Sequence, residues 1–406
     1  MSCSFIHRFA TRGILLAALV ALALPAFAQV SQDVPSEFDS WRLPGWSFTP
    51  GATFGLLYDS NVALAPPDVN KKTAGDKLFA VEPLGQLEYY SARTSFSSGY
   101  RGLFRRYVDL NGLDDSEQRG FFTLQEKLTR RVTLFATDNL AQTATTDQLQ
   151  LNGVPFERTG GRYNDFAGGV DSRLSRTVDL AARFESTWVS FDKRVNTALI
   201  GGVVNGVNVE LSRRVNARVS LGVENDLRLA SLDEGTRQLL FEEIGGTFHY
   251  RLTDITSVDA SGGIAHLLDR THDVTRDGPY VKVGVMHRAA RATIGATYNR
   301  SYVPSLVFGG TNQSQEATGY VQMPFARNRW YLQESVAWRR TNPFVSTELP
   351  LSSLWIHNLV GYGITRWFRV EGYYDFSGQD NRQVEGQITR HLAGVQIVVA
   401  QPVRIR

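Results

Sequence analysis

The sequence predicts an all-β fold: a single transmembrane antiparallel up-and-down β-barrel of about eighteen strands, with short periplasmic turns and long outer loops. Three features lead to it. A short turn recurs at nearly constant spacing, the residues between turns alternate apolar and polar, and many of those segments run to 12–16 residues, against about 5 or 6 in soluble proteins.

The first element is a leader. His7, Arg8 and Arg12 precede an apolar run from Gly13 to Leu24, and Ala26, Phe27 and Ala28 form the small-residue site that signal peptidase reads, with cleavage expected between Ala28 and Gln29. That run is too short to span a bilayer as a helix, which takes about 20 residues. The expected organisation is a signal peptide at 1–28, a short periplasmic segment at 29–46 and an outer-membrane barrel over 47–406, in a Gram-negative bacterium. The one cysteine, Cys3, lies in the leader, so the mature chain has no thiol for a disulfide, a metal or a nucleophile. Loss of Arg8 and Arg12 reduces 43 basic residues to 41, against 40 acidic. So even a balance points away from nucleic acid as a partner.

Eight short turns follow, centred near Ala92, Thr129, Ser175, Arg213, Thr253, Ala289, Arg327 and Thr365. Three read alike: Leu128–Val132 is L-T-R-R-V, Leu174–Val178 is L-S-R-T-V and Leu211–Val215 is L-S-R-R-V. Each interval holds two strands and one longer loop rich in Asp, Gly, Asn and Pro, such as 65–76, 109–117, 143–161, 269–278 and 303–313. In order, the strands are expected at 48–60, 77–90, 93–108, 116–128, 131–143, 162–174, 177–192, 198–212 and 215–230. The second half repeats the pattern at 237–252, 255–268, 278–288, 291–302, 314–326, 329–341, 352–364, 367–378 and 384–400. That makes eighteen, or sixteen if one hairpin is misread, with both ends of the barrel on the periplasmic side.

Faces follow from alternation. Val215, Ala217, Val219, Leu221, Val223 and Leu227 share one face, with Asn216, Arg218, Ser220, Glu224, Asp226 and Arg228 on the other. A soluble sandwich alternates in the same way. The aromatic residues favour a membrane: Trp330 and Trp338, Phe368 and Phe376, and Phe96 and Phe104 are pairs eight residues apart on apolar faces. Tilted by about 40°, eight residues project to about 20 Å, comparable with an apolar band of about 25 Å edged by aromatic girdles.

Motifs for catalysis are missing. There is no H-E-x-x-H, P-loop, G-x-S-x-G or calcium-loop pattern, and His249, His266, His272, His287, His357 and His391 are scattered without ligand-like spacing. His249 shares a face with Glu243 and Arg251, without a nucleophile beside it. Asp114, Asp115 and Glu117 either attract a divalent cation or keep an outer loop solvated. The expectation is a protein that is not an enzyme and needs no cofactor or metal.

Charge on the inward parity carries more information. Arg101, Arg105, Arg183, Arg218, Arg228, Arg369, Glu224 and Glu371 are expected to line the pore, either pairing across strands to stiffen the wall or offering a basic track to an anionic solute or saccharide. The loop 143–161, with Gln148, Gln150, Asn152 and Arg158, is long enough to constrict such a pore.

At the end of the first strand, Gly55, Leu56, Leu57, Tyr58, Asp59, Ser60, Asn61 and Val62 form a G-x-x-Y-D-S-N-V string. With the leader and the hairpin run, it resembles the putative beta-barrel porin 2 family, which includes barrels found beside exopolysaccharide export loci. The resemblance implies an outer-membrane channel passing hydrophilic cargo, with polysaccharide and periplasmic export components as partners. Outer-membrane lipid and the barrel-assembly machinery are expected partners of any such barrel. The alternative is a structural or loop-binding barrel that anchors an envelope complex. One departure is the C-terminus, where Val403, Arg404, Ile405 and Arg406 stand in place of a terminal aromatic residue, which bears on assembly efficiency.

Overall fold

The computed structural model describes residues 44–66, 74–151, 153–192, 199–271, 273–305, 310–325, 329–344, 350–381 and 387–405. The expected leader, its Ala28–Gln29 junction, Asn152, His272 and the turn centre at Arg327 lie outside the described residues.

Eighteen antiparallel strands close into one barrel. The first half comprises β1 (Gly45–Asp59), β2 (Asp76–Tyr90), β3 (Thr94–Tyr107), β4 (Asp115–Lys127), β5 (Val132–Thr143), β6 (Gly161–Arg173), β7 (Val178–Phe191), β8 (Gly202–Arg214) and β9 (Val219–Leu232). The second comprises β10 (Arg237–Thr253), β11 (Thr256–Asp269), β12 (Val274–Ala289), β13 (Ala292–Pro304), β14 (Thr311–Phe325), β15 (Trp330–Pro343), β16 (Leu351–Gly363), β17 (Phe368–Asn381) and β18 (Gln387–Ala400). Each strand pairs with its sequence neighbour, and β1 pairs with β18 from Gly51 opposite Ala400 to Asp59 opposite Leu392. No edge is left to seek another chain.

The seam continues past Pro402, which has no N–H to give. A three-residue β19 (Val403–Ile405) pairs with Trp46–Phe48 of β1. Trp46 stands opposite Ile405, so an aromatic side chain at the seam comes from the first strand rather than from the chain end. Close backbone approach fixes one residue there: a Cβ on Gly394 would strike the Leu56 carbonyl and lie 2.8 Å from the Leu57 Cα.

Four of the short turns owe their shape to one side chain each. Ser91, Thr129, Ser175 and Asn216 each accept hydrogen bonds from the N–H groups two and three residues on, as in Thr129 Oγ1 from Arg131 and Val132 at 3.1 and 3.0 Å. This is the local bonding that Ser, Thr and Asn offer in place of a ladder. It also corrects one expectation. The L-S-R-R-V string at 211–215 does not turn: β8 runs through Arg214, and Asn216 makes the bend, so β9 begins at Val219 rather than Val215. The other strand limits differ from expectation by a few residues.

Facing is uniform. Large apolar side chains that stay exposed lie on the outward parity: Phe54, Leu56 and Tyr58 on β1, Val223 and Leu227 on β9, Ile264 on β11, and Val395 and Ile397 on β18. Leu56, Val223 and Ile264 are each more than 60 % exposed, a surface suited to lipid and costly in water. At the short-turn end an aromatic belt is continuous over several strands. Trp46 packs on Tyr89 at 4.9 Å and on Phe96 at 5.8 Å, and Trp330 on Tyr362 at 4.8 Å and Phe325 at 6.1 Å.

Candidate functional site: the lumen and its in-folded loop

Inward residues divide the lumen into two unlike halves. Along the β6–β13 wall the long-loop end is filled by an apolar cluster that includes Tyr163, Val189, Leu232, Leu239, Phe241, Leu267, Tyr280 and Tyr302. Beneath it lies a charged layer in which Glu243, 1 % exposed, holds Arg228 at 2.6 Å and Lys282 at 2.9 Å. Asp226 approaches the same two cations at 3.5 and 3.6 Å. Glu224 accepts the Tyr280 hydroxyl at 3.0 Å. Nearer the short turns, His249 sits between Glu210 at 2.9 Å and Asp259, so its neighbours are those two carboxylates rather than Glu243 and Arg251.

The other half is open. A cavity of about 240 Å³ is lined by β1–β5 on one side and β15–β18 on the other. Arg101, Arg105, Arg119 and Glu82 face Arg369, Glu371, His357 and Tyr373 across it. Cations and anions are interleaved: Arg369 lies 3.8 Å from Glu371 and over the Tyr331 ring at 5.7 Å, and Arg101 lies 3.9 Å from Glu82. Gln396 donates to Glu371 at 2.5 Å. Such a wall offers guanidinium, carboxylate, amide and aromatic surfaces together, suited to a hydroxyl-rich or anionic solute.

The segment between β5 and β6 folds into the barrel and crosses to the opposite wall. It opens with a 3-10 turn, Thr146–Leu149, and reverses at Gln150 and Gly153, whose φ values of +49° and +67° are left-handed. Thr146 and Glu157 tie the two limbs together, Thr146 N–H donating to the Glu157 carbonyl at 3.0 Å and Glu157 N–H to Thr146 Oγ1 at 2.8 Å. Leu149 and Val154 insert into the apolar cluster, and Phe156 packs on Trp355 at 5.4 Å. Burial of three such side chains contributes roughly 1.5–3 kcal/mol each.

Polar contacts then latch the loop to the far wall. Arg390 is 2 % exposed and joins Asp59 at 2.7 Å to Asp147 at 3.0 Å, and Ser377 Oγ donates to Asp147 at 3.2 Å. Trp355 Nε1 donates to the Asp147 carbonyl at 3.1 Å. Gln379 reads two loop peptides, accepting Phe156 N–H at 2.8 Å and donating to the Val154 carbonyl at 2.9 Å. Burial pushes the Asp147 carboxyl up, but the Arg390 guanidinium, with Thr145 and Arg105 adding to it, outweighs burial and holds this loop group below the usual aspartate range.

The expected pore residues therefore separate. Arg101, Arg105, Arg369 and Glu371 line the open half, and Gln148 and Gln150 line it from the loop. Arg228 and Glu224 face the packed half, and Arg183 lies on its wall beside Glu185 at 2.9 Å. Arg218 is exposed in the turn before β9 and is not part of the lumen wall. Arg158 braces the loop, donating to the Val62 carbonyl at 2.9 Å and pairing with Asp115 at 3.0 Å. Asp115 and Glu117 are buried against Arg105, so they are neither solvated loop charges nor open to a cation. Sequence reasoning missed Asp147, Arg390, Gln379 and Arg119. The available signal was parity: Arg390 lies on the inward face of β18 among otherwise uncharged residues.

No family model matches the sequence, and no curated relative matches it. Solved structures similar in shape include Acinetobacter baumannii OccAB4, at 8 % identity over 89 % of this chain and 99 % of that one with a TM-score of 0.43. The Pseudomonas aeruginosa outer membrane protein OpdK shows 12 % identity over 88 % and 99 %, TM-score 0.43. The siderophore receptor PirA from Pseudomonas aeruginosa shows 8 % over 88 % and 80 %, TM-score 0.41. The barrel assignment rests on the closed hydrogen-bond ladder and the apolar exterior described above.

Proposed function

We propose that this chain is an outer-membrane channel for hydrophilic cargo, restricted by the 144–160 loop that is latched across its lumen. The observation that carries the reading is the latch itself: a segment stretched over a charged cavity and held at Asp147, Val154 and Phe156 by side chains of the opposite wall. A barrel serving only as an anchor has no need of an open half lined with Arg101, Arg119, Arg369 and Glu371.

A saccharide is the preferred cargo class. Support comes from the resemblance carried by Gly55–Val62 and from the mixture of Tyr373, His357, Gln333 and Gln396 with charges in one cavity. Asp59 and Asn61 of that string also have a structural task, since Asp59 holds Arg390 and Asn61 fastens the first loop through Ala65 and Thr389.

Liposome swelling tests the reading. With neutral and anionic oligosaccharides of graded size, short anionic ones should enter fastest, and Arg101→Gln with Arg369→Gln should remove the anion preference several-fold without closing the path to neutral sugars. No solute entry by wild type or a loop-deleted form, with the barrel folded, would defeat the channel reading.

A further inference from the structure

Arginine crowds the short-turn rim. Each of the eight turns carries at least one exposed arginine in the bend or at the adjoining strand end, among them Arg93, Arg131, Arg176, Arg218, Arg291 and Arg329. Arg404 adds another at the seam. Acidic residues at this rim are fewer, and one of them, Asp179, is shared between Arg173 at 3.5 Å and Arg214 at 3.4 Å. The opposite rim is mixed, with Asp109, Asp233, Glu234 and Asp277 among Lys77, Arg106, Arg270 and Arg276.

Two further facts say what this collar meets. It runs round the whole circumference, turn after turn, whereas a single protein partner docked on one side would need charge on one side. It also lies directly beyond the outward aromatic belt of Trp46, Phe96, Trp330 and Trp367, with Arg329 next to Trp330 and Arg93 three residues before Phe96. Aromatic residues of such a belt sit at the headgroup level of a bilayer, so the guanidinium groups fall at the phosphates. Guanidinium donors match phosphate oxygens two at a time.

We infer that the short-turn rim is a lipid-binding collar that selects anionic phospholipid headgroups in the leaflet at that end of the barrel. The collar rests on the barrel spanning a bilayer, but it is independent of whether the lumen conducts. Its chemistry is electrostatic and bidentate, so it weakens with salt.

The test uses the tryptophans of the belt. The full barrel is refolded into vesicles containing either brominated phosphatidylglycerol or brominated phosphatidylcholine, and quenching of Trp fluorescence gives the relative affinity of the two lipids. Retarded, heat-sensitive gel mobility checks insertion separately, so a failure to enter the bilayer is told apart from a lack of lipid preference. The expected result is a preference of roughly three- to tenfold for the anionic lipid at low salt, reduced at high salt. It should fall at least twofold in a variant carrying R93Q, R131Q, R176Q, R218Q and R291Q, which leaves other rim arginines such as Arg329 and Arg404 in place, and persist when Lys77, Arg106, Arg270 and Arg276 are changed to Gln at the other rim. Equal affinities in wild type, or a preference unchanged by the five substitutions, would overturn the collar. So would a preference abolished by inorganic phosphate but untouched by chloride at the same ionic strength, because the rim would then take free phosphate.

Discussion

Arg390→Met should both loosen the in-folded loop and weaken the barrel. Asp59 is fully buried and Asp147 is 2 % exposed, so removing the guanidinium leaves two carboxylates facing each other without a counter-charge. Loss of one partner from a buried ion network costs about 3–5 kcal/mol. Neutralising the acids as well, in R390M with D59N and D147N, should recover much of that stability. It should not restore the latch, because the loop would keep Gln379 and Trp355 and lose its charged tie. Thermal unfolding in detergent reads the first effect, and protease cleavage within 144–160 reads the second. The same pair sets a pH window. Folding lowers the Asp147 pKa below its ordinary value of 3.8, so its contribution is complete above that value and is lost as pH falls through the lower folded one. Loop protection should therefore hold through neutral and mildly acid pH and fail only in strong acid.

The second large effect lies in the packed half. Glu243→Ala removes the acid that Arg228 and Lys282 share, and leaves two cations side by side beneath the apolar cluster. Asp226 remains 3.5 and 3.6 Å from them, so the cost should sit at the lower end of the range for a broken buried network, about 3 kcal/mol. Glu243→Gln should cost less, because the amide oxygen still accepts from Arg228. Neither change should alter cargo preference, since the cavity wall is on the other side of the lumen.

The architecture was legible because a barrel repeats one rule many times. Period-two alternation and a recurring turn placed all eighteen strands, and the one displaced turn followed from choosing Leu211–Val215, where resemblance to other turns misled, over Asn216, whose side chain makes the bend. The division of the lumen was not legible. Parity says that Arg101, Arg183 and Arg228 all point inward, but only the closed barrel shows that Arg228 lies under Phe241, with its guanidinium 5.7 Å from that ring, while Arg101 borders open space. Loop length and polarity singled out 143–161. Its anchors could not be read, because Asp147 and Arg390 are 243 residues apart, and nothing local to either marks the other.

Single-channel conductance of the refolded barrel in a planar bilayer, with the loop intact and with residues 145–159 replaced by a short Gly-Ser link, is the direct test of the latched constriction. A latched constriction predicts small steps for the intact protein and large, steady steps after deletion, both forms showing the same β-sheet circular dichroism. Silence in both folded forms, or identical large steps in both, would contradict it.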